Sequence, residues 1–540
     1  MSRKRTQRAL IAAAAAGLAL SLALTGCASG GGTASNDAGP VDGGTLKFAI
    51  GNDPISFNPT GVGNGNDTWY VTRQVYDSLV YQNPDSQEIE PWLAKSYSVN
   101  DNATEFTFNL RDDVTFSDGS RLTATTIKAN LDDAKAAGAA SSAASYLASY
   151  TGTDVTDEHT AVVKFAKPNA SFLSNAATVT LGIVSDKSLT VPFADRSAGT
   201  NIAGSGPFVL KSYTKDQSTT LAKRDGYTWA PASRGNTTGA HLDAVEFSVV
   251  PESGNRTGGL TSGQLDVAGG IAPNDIDTVA ASNNTVERAN PGTVFGVYFN
   301  EHQPVIADES VREAVGYAVD AQEIRDGALN DHFAVADSVL SQTTQDHEDA
   351  SSVIPAHDPE KAKQVLEQAG WTEGSDGIRE KDGQKLKFRI SYINNFGPNA
   401  DSIALLQQQL KAVGIDSVQI SGTVPEFQET IKSGDYEVAW RNLSRVDGDV
   451  LRTDFSSAGT SNWPVDDAEL NQRLLDQVSI GDQAQRSAEI KSLQKALIEQ
   501  YHFVPVHELT TVLGTTKSVH GVSLGADSRL DLLVNAYKAN

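Results

Sequence analysis

A strand–helix–strand pattern in the second half of the chain constrains the fold most. From Leu386 to Tyr392 every second residue is apolar, which is typical of a half-buried strand. A helix is predicted over residues 399–413, ending before Gly414, and a further strand follows at 418–420. Two strands joined by one helix in this way run parallel in the same sheet. The pattern therefore predicts an α/β fold with helices on the faces of a parallel sheet.

Helix and strand signals elsewhere support the same fold class. Asp358 is a predicted helix N-cap, Pro359 takes the first helical position, and Gly370 lies just past the predicted end. In the first half of the chain, apolar periodicity predicts further elements. They are a strand at 44–50, a helix at 68–81, a strand at 105–110 and a helix at about 123–137.

Length and charge limit the class of protein. A chain of 540 residues exceeds the size at which one hydrophobic core keeps growing, so we expect two or more lobes. The formal net charge of −24 favours solubility and argues against binding to nucleic acid or to anionic lipid surfaces. The sequence also has no Gly-Lys-Ser or Gly-Lys-Thr phosphate loop, which argues against an ATPase.

The N-terminus has the features of an export signal. Four basic residues between positions 3 and 8 precede an uncharged run at 9–24, which is shorter than the roughly 20 residues of a membrane-spanning helix. The stretch Leu24-Thr25-Gly26-Cys27 resembles the lipobox of bacterial lipoproteins. We therefore predict a lipoprotein signal peptide at 1–26, lipidation of Cys27, and a location outside the cytoplasm, in the periplasmic space at the outer face of the cell membrane.

An ordinary signal peptide, cleaved nearby, is the alternative, and it would leave Cys27 as an incidental free thiol. Cys27 is the only cysteine, so disulfides within the chain are excluded and stability must come from core burial. Residues 27–40 are rich in Gly, Ser, Ala and Thr, a composition that behaves as a flexible tether.

Signals for an enzyme or a metal protein are weak. The sequence contains no His-Glu-x-x-His pair. His502 and His507 flank an apolar run, Phe503 to Val506, and we assign both a structural role because two single histidines are weak evidence for metal ligation. With nine histidines and one methionine, a dedicated metal chelator is also disfavoured. We therefore predict no enzyme activity, no metal site and no cofactor, with an extracytoplasmic hydrolase as the least favoured alternative.

Several motifs in order along the chain resemble one family, the extracellular solute-binding proteins, family 5, which serve dipeptide, oligopeptide and nickel ABC importers. The resemblance extends from about Gly43 to Tyr537. The matching stretches are Leu93 to Leu131, the Gly-x-Gly-Pro strand at Gly204 to Tyr213, Val245 to Val267, and the helix at Val311 to Asp320.

This resemblance implies a two-lobed fold like that of periplasmic binding proteins, class II, of the large peptide-binding type with an extra subdomain and a cleft between the lobes. It assigns 41–68, 204–296 and 510–540 to lobe I, 69–203 to the extra subdomain and 297–509 to lobe II. The implied protein is a monomer that captures a small solute, by default a dipeptide or oligopeptide. It would deliver that solute to ABC permease and ATPase subunits in the membrane.

Two segments are the predicted ligand contacts. The first follows the strand at 386–392 and contains Asn395 and Phe396, at the strand end where α/β proteins bind ligands. The second is a predicted loop that follows a strand at 436–440, and the resemblance assigns it to ligand binding. Alternatively, this loop is solvated and its tryptophan belongs to the core. The predicted contacts in the second segment are Trp440, Arg441, Asn442, Arg445 and Asp447.

One departure from the family pattern bears on the ligand. Many peptide-binding members have an aspartate, three residues after the tryptophan, that pairs with the peptide ammonium group, and here that place is Leu443. Either Asp447 or Asp449 substitutes, or the ligand is not a peptide with a free amino group. Arg441 and Arg445 could then hold a carboxylate or phosphate. The alternatives are an opine, a metal chelate, another carboxylate-bearing solute, or a peptide signal that is sensed rather than transported.

Overall fold

A computed structural model describes residues 39–63, 65–458 and 464–539 of the chain. The predicted signal peptide, Cys27 and nearly all of the predicted tether lie outside the described residues. In the described part, no helix combines the length and the apolar character needed to span a bilayer.

The first lobe is built on a seven-stranded mixed sheet. Its central strand, Thr45–Ile50, was predicted from the sequence and runs parallel to Ala244–Val249, with Phe48 opposite Phe247. Both phenylalanines are fully buried in the core of this lobe. In spatial order the strands are Asn284–Ala289, Thr510–Thr515, Val267–Ala268, Thr45–Ile50, Ala244–Val249, Ser218–Lys223 and Phe208–Thr214.

The second lobe is built on a five-stranded sheet. Lys387–Ile393 and Asp416–Gly422 are parallel and are joined by the helix Pro398–Ala412, which confirms the predicted strand–helix–strand unit. Ile390 and Leu406 are buried in the core that this unit shares. In spatial order the strands are Asp416–Gly422, Lys387–Ile393, Val438–Ser444, Gly292–Phe299 and Phe503–His507.

A four-stranded antiparallel sheet forms a third layer, with the helix Ala124–Ala136 packed against it. Thr123 caps this helix, because its side chain accepts a hydrogen bond from the backbone N–H of Thr126 at 3.3 Å. Phe106, Phe165 and Phe172 pack together in the core below the sheet. In order, the strands are Ala94–Val99, Glu105–Leu110, Thr160–Phe165 and Tyr150–Asp157.

The remaining strands form small sheets at the periphery. They are Val80–Gln82 with Ile89–Pro91, Val519–His520 with Tyr537–Lys538, and Thr372–Glu373, Arg379–Lys381 and Gln384–Lys385.

The helix predicted from Asp358, Pro359 and Gly370 begins where these signals place it. Asp358 caps Pro359–Gln368 by accepting from the backbone N–H of Lys361 at 2.9 Å, and Gly370 takes a φ of +88° beyond its end. The other α-helices are Asn66–Thr72, Ala124–Ala136, Phe172–Ala176, Ser253–Thr261, Ile276–Ser282, Glu309–Ala318, Ala321–Ala328, Pro398–Ala412, Val424–Ser433, Val450–Phe455, Ala468–Asp476 and Gln483–Glu499.

The predicted helix over 68–81 is wrong beyond Thr72, where the observed helix ends. The next residues leave the helix because their backbone pairs with a distant segment: the carbonyl of Gln74 accepts from the N–H of Phe208 at 3.0 Å, and that of Val75 from Gly206 at 2.9 Å. The spacing of the apolar residues in this stretch therefore indicates that they are buried, and does not indicate that the helix continues.

The chain passes between the two large sheets at two adjacent connections. One joins Asn284–Ala289 to Gly292–Phe299, and the other joins Phe503–His507 to Thr510–Thr515. They are hydrogen-bonded to each other, because the N–H of Asn290 donates to the carbonyl of Leu509 at 2.7 Å. These connections have the position that hinge residues take in proteins whose lobes close on a ligand, a few residues between the lobes.

Candidate functional site: a cavity between the lobes

A cavity with about 350 Å³ of space, including its opening to solvent, lies between the two lobes. One wall comes from the second lobe and the segment leading into it, with Pro291, Ser444, Arg445 and Val446. The opposite wall comes from the rest of the molecule, with Trp69, Tyr146, Asn175, Thr178, Asp527 and Arg529.

Arg445 reaches this cavity from the end of a strand that is longer than predicted. The sequence places a loop after Trp440, whereas the strand continues to Ser444 because Leu443 pairs with Thr293 on the neighbouring strand. The backbone N–H of Arg445 then donates to the carbonyl of Pro291 at 3.0 Å. This contact fixes the start of the arginine side chain at the edge of the cavity.

Arg529 faces the cavity from the first lobe and is 9% exposed. Its Nε donates to Asn66 Oδ1 at 2.9 Å, and its guanidinium carbon lies 4.0 Å from the centre of the Trp69 ring. Burial lowers the pKa of Arg529, the charge of Asp527 works against this, and the charge of Arg445 adds a smaller lowering. The two cations are thus close enough to influence each other.

Trp440 is fully buried in the core of the second lobe. Its Nε1 donates to Asn399 Oδ1 at 3.2 Å, and its ring packs against Phe295 and His507. The structure therefore places this predicted contact within the lobe and not among the residues that line the cavity.

Arg441 and Asn442 lie on the same strand. Arg441 forms an ion pair with the fully buried Asp454 at 2.8 Å and stacks on the ring of Tyr298 at 4.6 Å. It lines a separate cavity inside the second lobe. Burial works against its charge, but Asp454 holds the pKa of Arg441 above its ordinary value. Asn442 is half-buried and does not line the interlobe cavity.

Asp447 is next to the cavity wall but its carboxylate is already engaged. It pairs with the buried Arg486, whose Nη1 donates to Oδ2 at 3.1 Å, and it accepts from the N–H of Asp449 at 2.8 Å. Ser174, from the four-stranded layer, donates to the same carboxylate at 3.0 Å. Asp447 thus links the second lobe to the four-stranded layer.

The other predicted segment lies apart from the cavity. Asn395 is exposed, and Phe396 stacks on Phe295 with ring centroids 5.9 Å apart and also approaches Phe333. Neither Asn395 nor Phe396 lines the interlobe cavity. Of the predicted contacts, the structure brings only Arg445 to this cavity, with Asp447 two residues further along the chain.

Sequence reasoning missed the wall opposite Arg445. Trp69, Tyr146 and Arg529 are separated by long stretches of chain and meet only through the fold. Arg529 follows the polar pair Asp527 and Ser528 near the C-terminus, which reads locally as an ordinary turn. No local pattern could have singled it out.

A serine motif and two histidines bear on the enzyme question. Gly521 to Gly525 matches the Gly-x-Ser-x-Gly pattern, but no α-helix follows it, and Ser523 Oγ has no hydrogen-bond partner among the described residues. A nucleophilic serine needs an adjacent base. His502 pairs with Glu301 at 2.7 Å, and His507 is buried. The part of the chain covered by the structure contains no group of three potential metal ligands.

Comparison with protein families finds a match over residues 88–462 to the model of the bacterial extracellular solute-binding proteins, family 5. One relative is the probable D,D-dipeptide-binding periplasmic protein DdpA of Escherichia coli, 26% identical over 87% of this chain and 89% of that protein. Another is the dipeptide-binding protein DppE of Bacillus subtilis, 26% identical over 74% of this chain and 75% of that protein.

Solved structures share the fold. The ABC transporter substrate-binding protein CtaP of Listeria monocytogenes has a TM-score of 0.79 and 20% identity, covering 92% of this chain and all of that one. The oligopeptide-binding protein AppA of Bacillus subtilis, solved with a nonapeptide, has a TM-score of 0.74 and 20% identity over 93% of this chain and 100% of that one. These likenesses confirm the predicted two-lobed α/β architecture. The family match covers more than half of the chain, and the protein therefore belongs to the bacterial extracellular solute-binding proteins, family 5.

Proposed function

We propose that the protein captures a small solute, by default a dipeptide or oligopeptide, between its lobes and delivers it to an ABC permease with its ATPase subunits. The observation that carries this proposal is the cavity whose walls come from both lobes, with Arg445 on one side and Arg529 on the other. Relatives named for dipeptide and oligopeptide binding support the default.

Ligand binding in this cavity would couple to movement of the lobes. A solute that touches both walls binds the closed form better than the open form, and that difference in affinity shifts the population towards closure. We propose the division into lobe I, the 69–203 subdomain and lobe II on the same basis, with the chain crossing at 290–291 and 508–509.

Three further features belong to the proposal. The chain works as a monomer, it binds without turning over its ligand, and Cys27 carries lipids that anchor it outside the cytoplasm. More than one acyl chain gives stable anchoring. Labelling cells with radioactive palmitate should mark the wild-type protein and not the Cys27→Ser variant. Equal labelling would contradict the anchor.

Calorimetric titration of the purified protein tests the binding function. The panel consists of di- to pentapeptides, opines and nickel chelates. We expect saturable binding of at least one peptide with no change in the peptide itself by mass spectrometry. Binding restricted to an opine or a chelate would overturn the peptide default, and hydrolysis of any ligand would overturn the assignment as a binding protein.

A further inference from the structure

The interlobe cavity has a positive lining although the protein is strongly acidic. Two arginines, Arg445 and Arg529, and one carboxylate, Asp527, line it. The formal net charge of the whole chain is −24. The cavity thus differs in sign from the average surface, and a lining of this kind attracts anionic groups.

Neither arginine forms an ion pair in the described part of the chain, although the charge of Asp527 acts on Arg529 from further away. Among residues 39–63, 65–458 and 464–539, no carboxylate oxygen lies within 4.0 Å of either guanidinium. Arg445 Nη1 donates only to the carbonyl of Ser444, at 3.0 Å. Asp527 uses Oδ1 to accept the backbone N–H of Arg529 at 3.0 Å. A buried cation without an ion partner is costly, and a ligand anion would remove that cost.

Arg529 is held in place before any ligand arrives. The hydrogen bond to Asn66 and the stack on Trp69 fix the plane of its guanidinium. These contacts use Nε and one face, and no described hydrogen bond involves its two terminal nitrogens. A fixed guanidinium with terminal N–H groups available matches the two oxygens of a carboxylate.

The cavity has few carboxylates that are free to pair with an ammonium group. Asp447 is engaged by Arg486 and Ser174, and Asp449 is paired with Arg452 at 2.7 Å. Only Asp527 remains on the lining, next to Arg529. The charges therefore favour a ligand held by its anionic end.

We propose that the ligand carries a carboxylate that bridges Arg445 and Arg529, one guanidinium from each wall of the cavity. This inference rests on the proposed function, because it assumes that the solute binds between the lobes. A carboxylate here would satisfy both cations together. The aromatic rings of Trp69 and Tyr146 line the same space and would receive the apolar part of the ligand.

The same pair makes closure depend on the anion. Without ligand, bringing the lobes together moves two like charges towards each other, which disfavours the closed form. A bound carboxylate replaces this repulsion by two attractive contacts. Selectivity for an anion and closure of the cleft thus come from the same two side chains.

The test uses matched ligands that differ only in their charged ends. Dialanine, N-acetyl-dialanine and dialanine amide, with succinate and its diamide, are titrated against the wild-type protein by calorimetry. We expect binding of one or more of the free carboxylates, and at least about tenfold weaker binding of the matching amide. Arg445→Gln should weaken carboxylate binding by about 10- to 100-fold, the usual range for a lost charge-assisted hydrogen bond.

Two further variants complete the design. Arg445→Lys keeps the charge and should recover part of the lost affinity. Arg473→Gln removes a half-buried arginine that pairs with Glu489 and does not line the cavity, and it should leave affinity unchanged within twofold. Equal binding of amide and carboxylate, unchanged affinity in Arg445→Gln, or silence towards every carboxylate would overturn the inference. In each case binding of another solute from the wider panel would leave the proposed function standing.

Discussion

Arg486 holds the carboxylate of Asp447 from inside the second lobe, and Ser174 reaches the same carboxylate from the four-stranded layer. Arg486 and Asp447 are 1% and 4% exposed, so their ion pair is screened from water. The Ser174 hydrogen bond links the four-stranded layer to the second lobe, and we expect these two parts to separate when the cleft opens.

Replacing Ser174 by Ala should weaken ligand binding without destabilising the ligand-free protein. The hydrogen bond to a carboxylate contributes about 1.5–3 kcal/mol, and only the closed form makes it. We expect ligand affinity, measured by calorimetry, to fall by about tenfold or more, with an unchanged melting temperature in the absence of ligand. Ser433→Ala, which removes a local contact to Thr430, is the matched control. A loss of ligand-free stability in Ser174→Ala would contradict the account.

Asp447→Asn should destabilise the folded protein by about 3–5 kcal/mol, because it leaves the buried Arg486 guanidinium without its ion partner. Urea denaturation measures the loss. The double variant Asp447→Leu with Arg486→Met removes both charges and should recover much of the stability. If the double variant is as unstable as the single one, the ion pair is not the cause.

The ion pair between Asp447 and Arg486 also makes the stability of the fold depend on pH. Burial by itself raises the pKa of Asp447, but the Arg486 guanidinium and its hydrogen bonds bring the pKa below the ordinary value. A carboxyl with a lowered folded pKa stabilises the fold above its unfolded pKa of about 4, and that contribution disappears as the pH falls further. The loss of stability below pH ~4 should therefore be smaller in the double variant.

We expect His507 to cause a second pH dependence of stability, at higher pH than that of Asp447. Its Nδ1 donates to the carbonyl of Glu508 at 3.0 Å, Nε2 has no partner among the described residues, and burial lowers its pKa to about 4. Between pH 6.5 and about 4 the His507 imidazole is protonated in the unfolded state and neutral in the folded state. Stability should then fall as the pH falls, by up to about 1.4 kcal/mol per pH unit.

His507→Phe should flatten this slope, since phenylalanine fits the stack on Phe295 and cannot be protonated. Urea denaturation of both proteins between pH 7 and 4 provides the measurement. His302→Phe, at an exposed position, is the control and should keep the wild-type slope. An unchanged slope in His507→Phe would show that another group is responsible.

Replacing Gly481 by Ala should give a protein that folds but cannot close its cleft. A Cβ at this position would lie 1.7 Å from the carbonyl oxygen of Asp101, in the contact between the second lobe and the four-stranded layer. Gly481→Ala should therefore lower ligand affinity and leave ligand-free stability nearly intact. Gly204→Ala is the contrast, because its Cβ would lie 2.0 Å from the carbonyl oxygen of Val75, which packs in the core of the seven-stranded sheet, and should impair folding itself. Equal destabilisation by both variants would argue against closure at the Gly481 contact.

Elements with local signals could be predicted from the sequence. Asp358, Pro359 and Gly370 mark both ends of one helix, and the strand–helix–strand unit around Pro398–Ala412 was found from periodicity. The prediction failed where a distant partner decides the conformation. Residues after Thr72 bond to the segment at 206–208, and Arg441 to Ser444 extend a strand by pairing with Gly292–Phe299.

The candidate site was predictable only in part for the same reason. Arg445 stands in a polar segment after a strand, which is a local signal, and the structure brings it to the cavity. Trp440 ends the predicted strand next to that segment, but the side-chain alternation of a strand turns it into the core. Arg529 and Trp69 are more than 450 residues apart and meet only because the C-terminal segment returns to the first lobe.

Small-angle X-ray scattering of the purified protein, with and without a saturating ligand from the titration panel, tests the central claim most directly. If the solute is captured between two lobes that close on it, the radius of gyration decreases on ligand addition, and it decreases less for Gly481→Ala. A radius of gyration that is the same with and without saturating ligand would contradict capture by closure of the lobes.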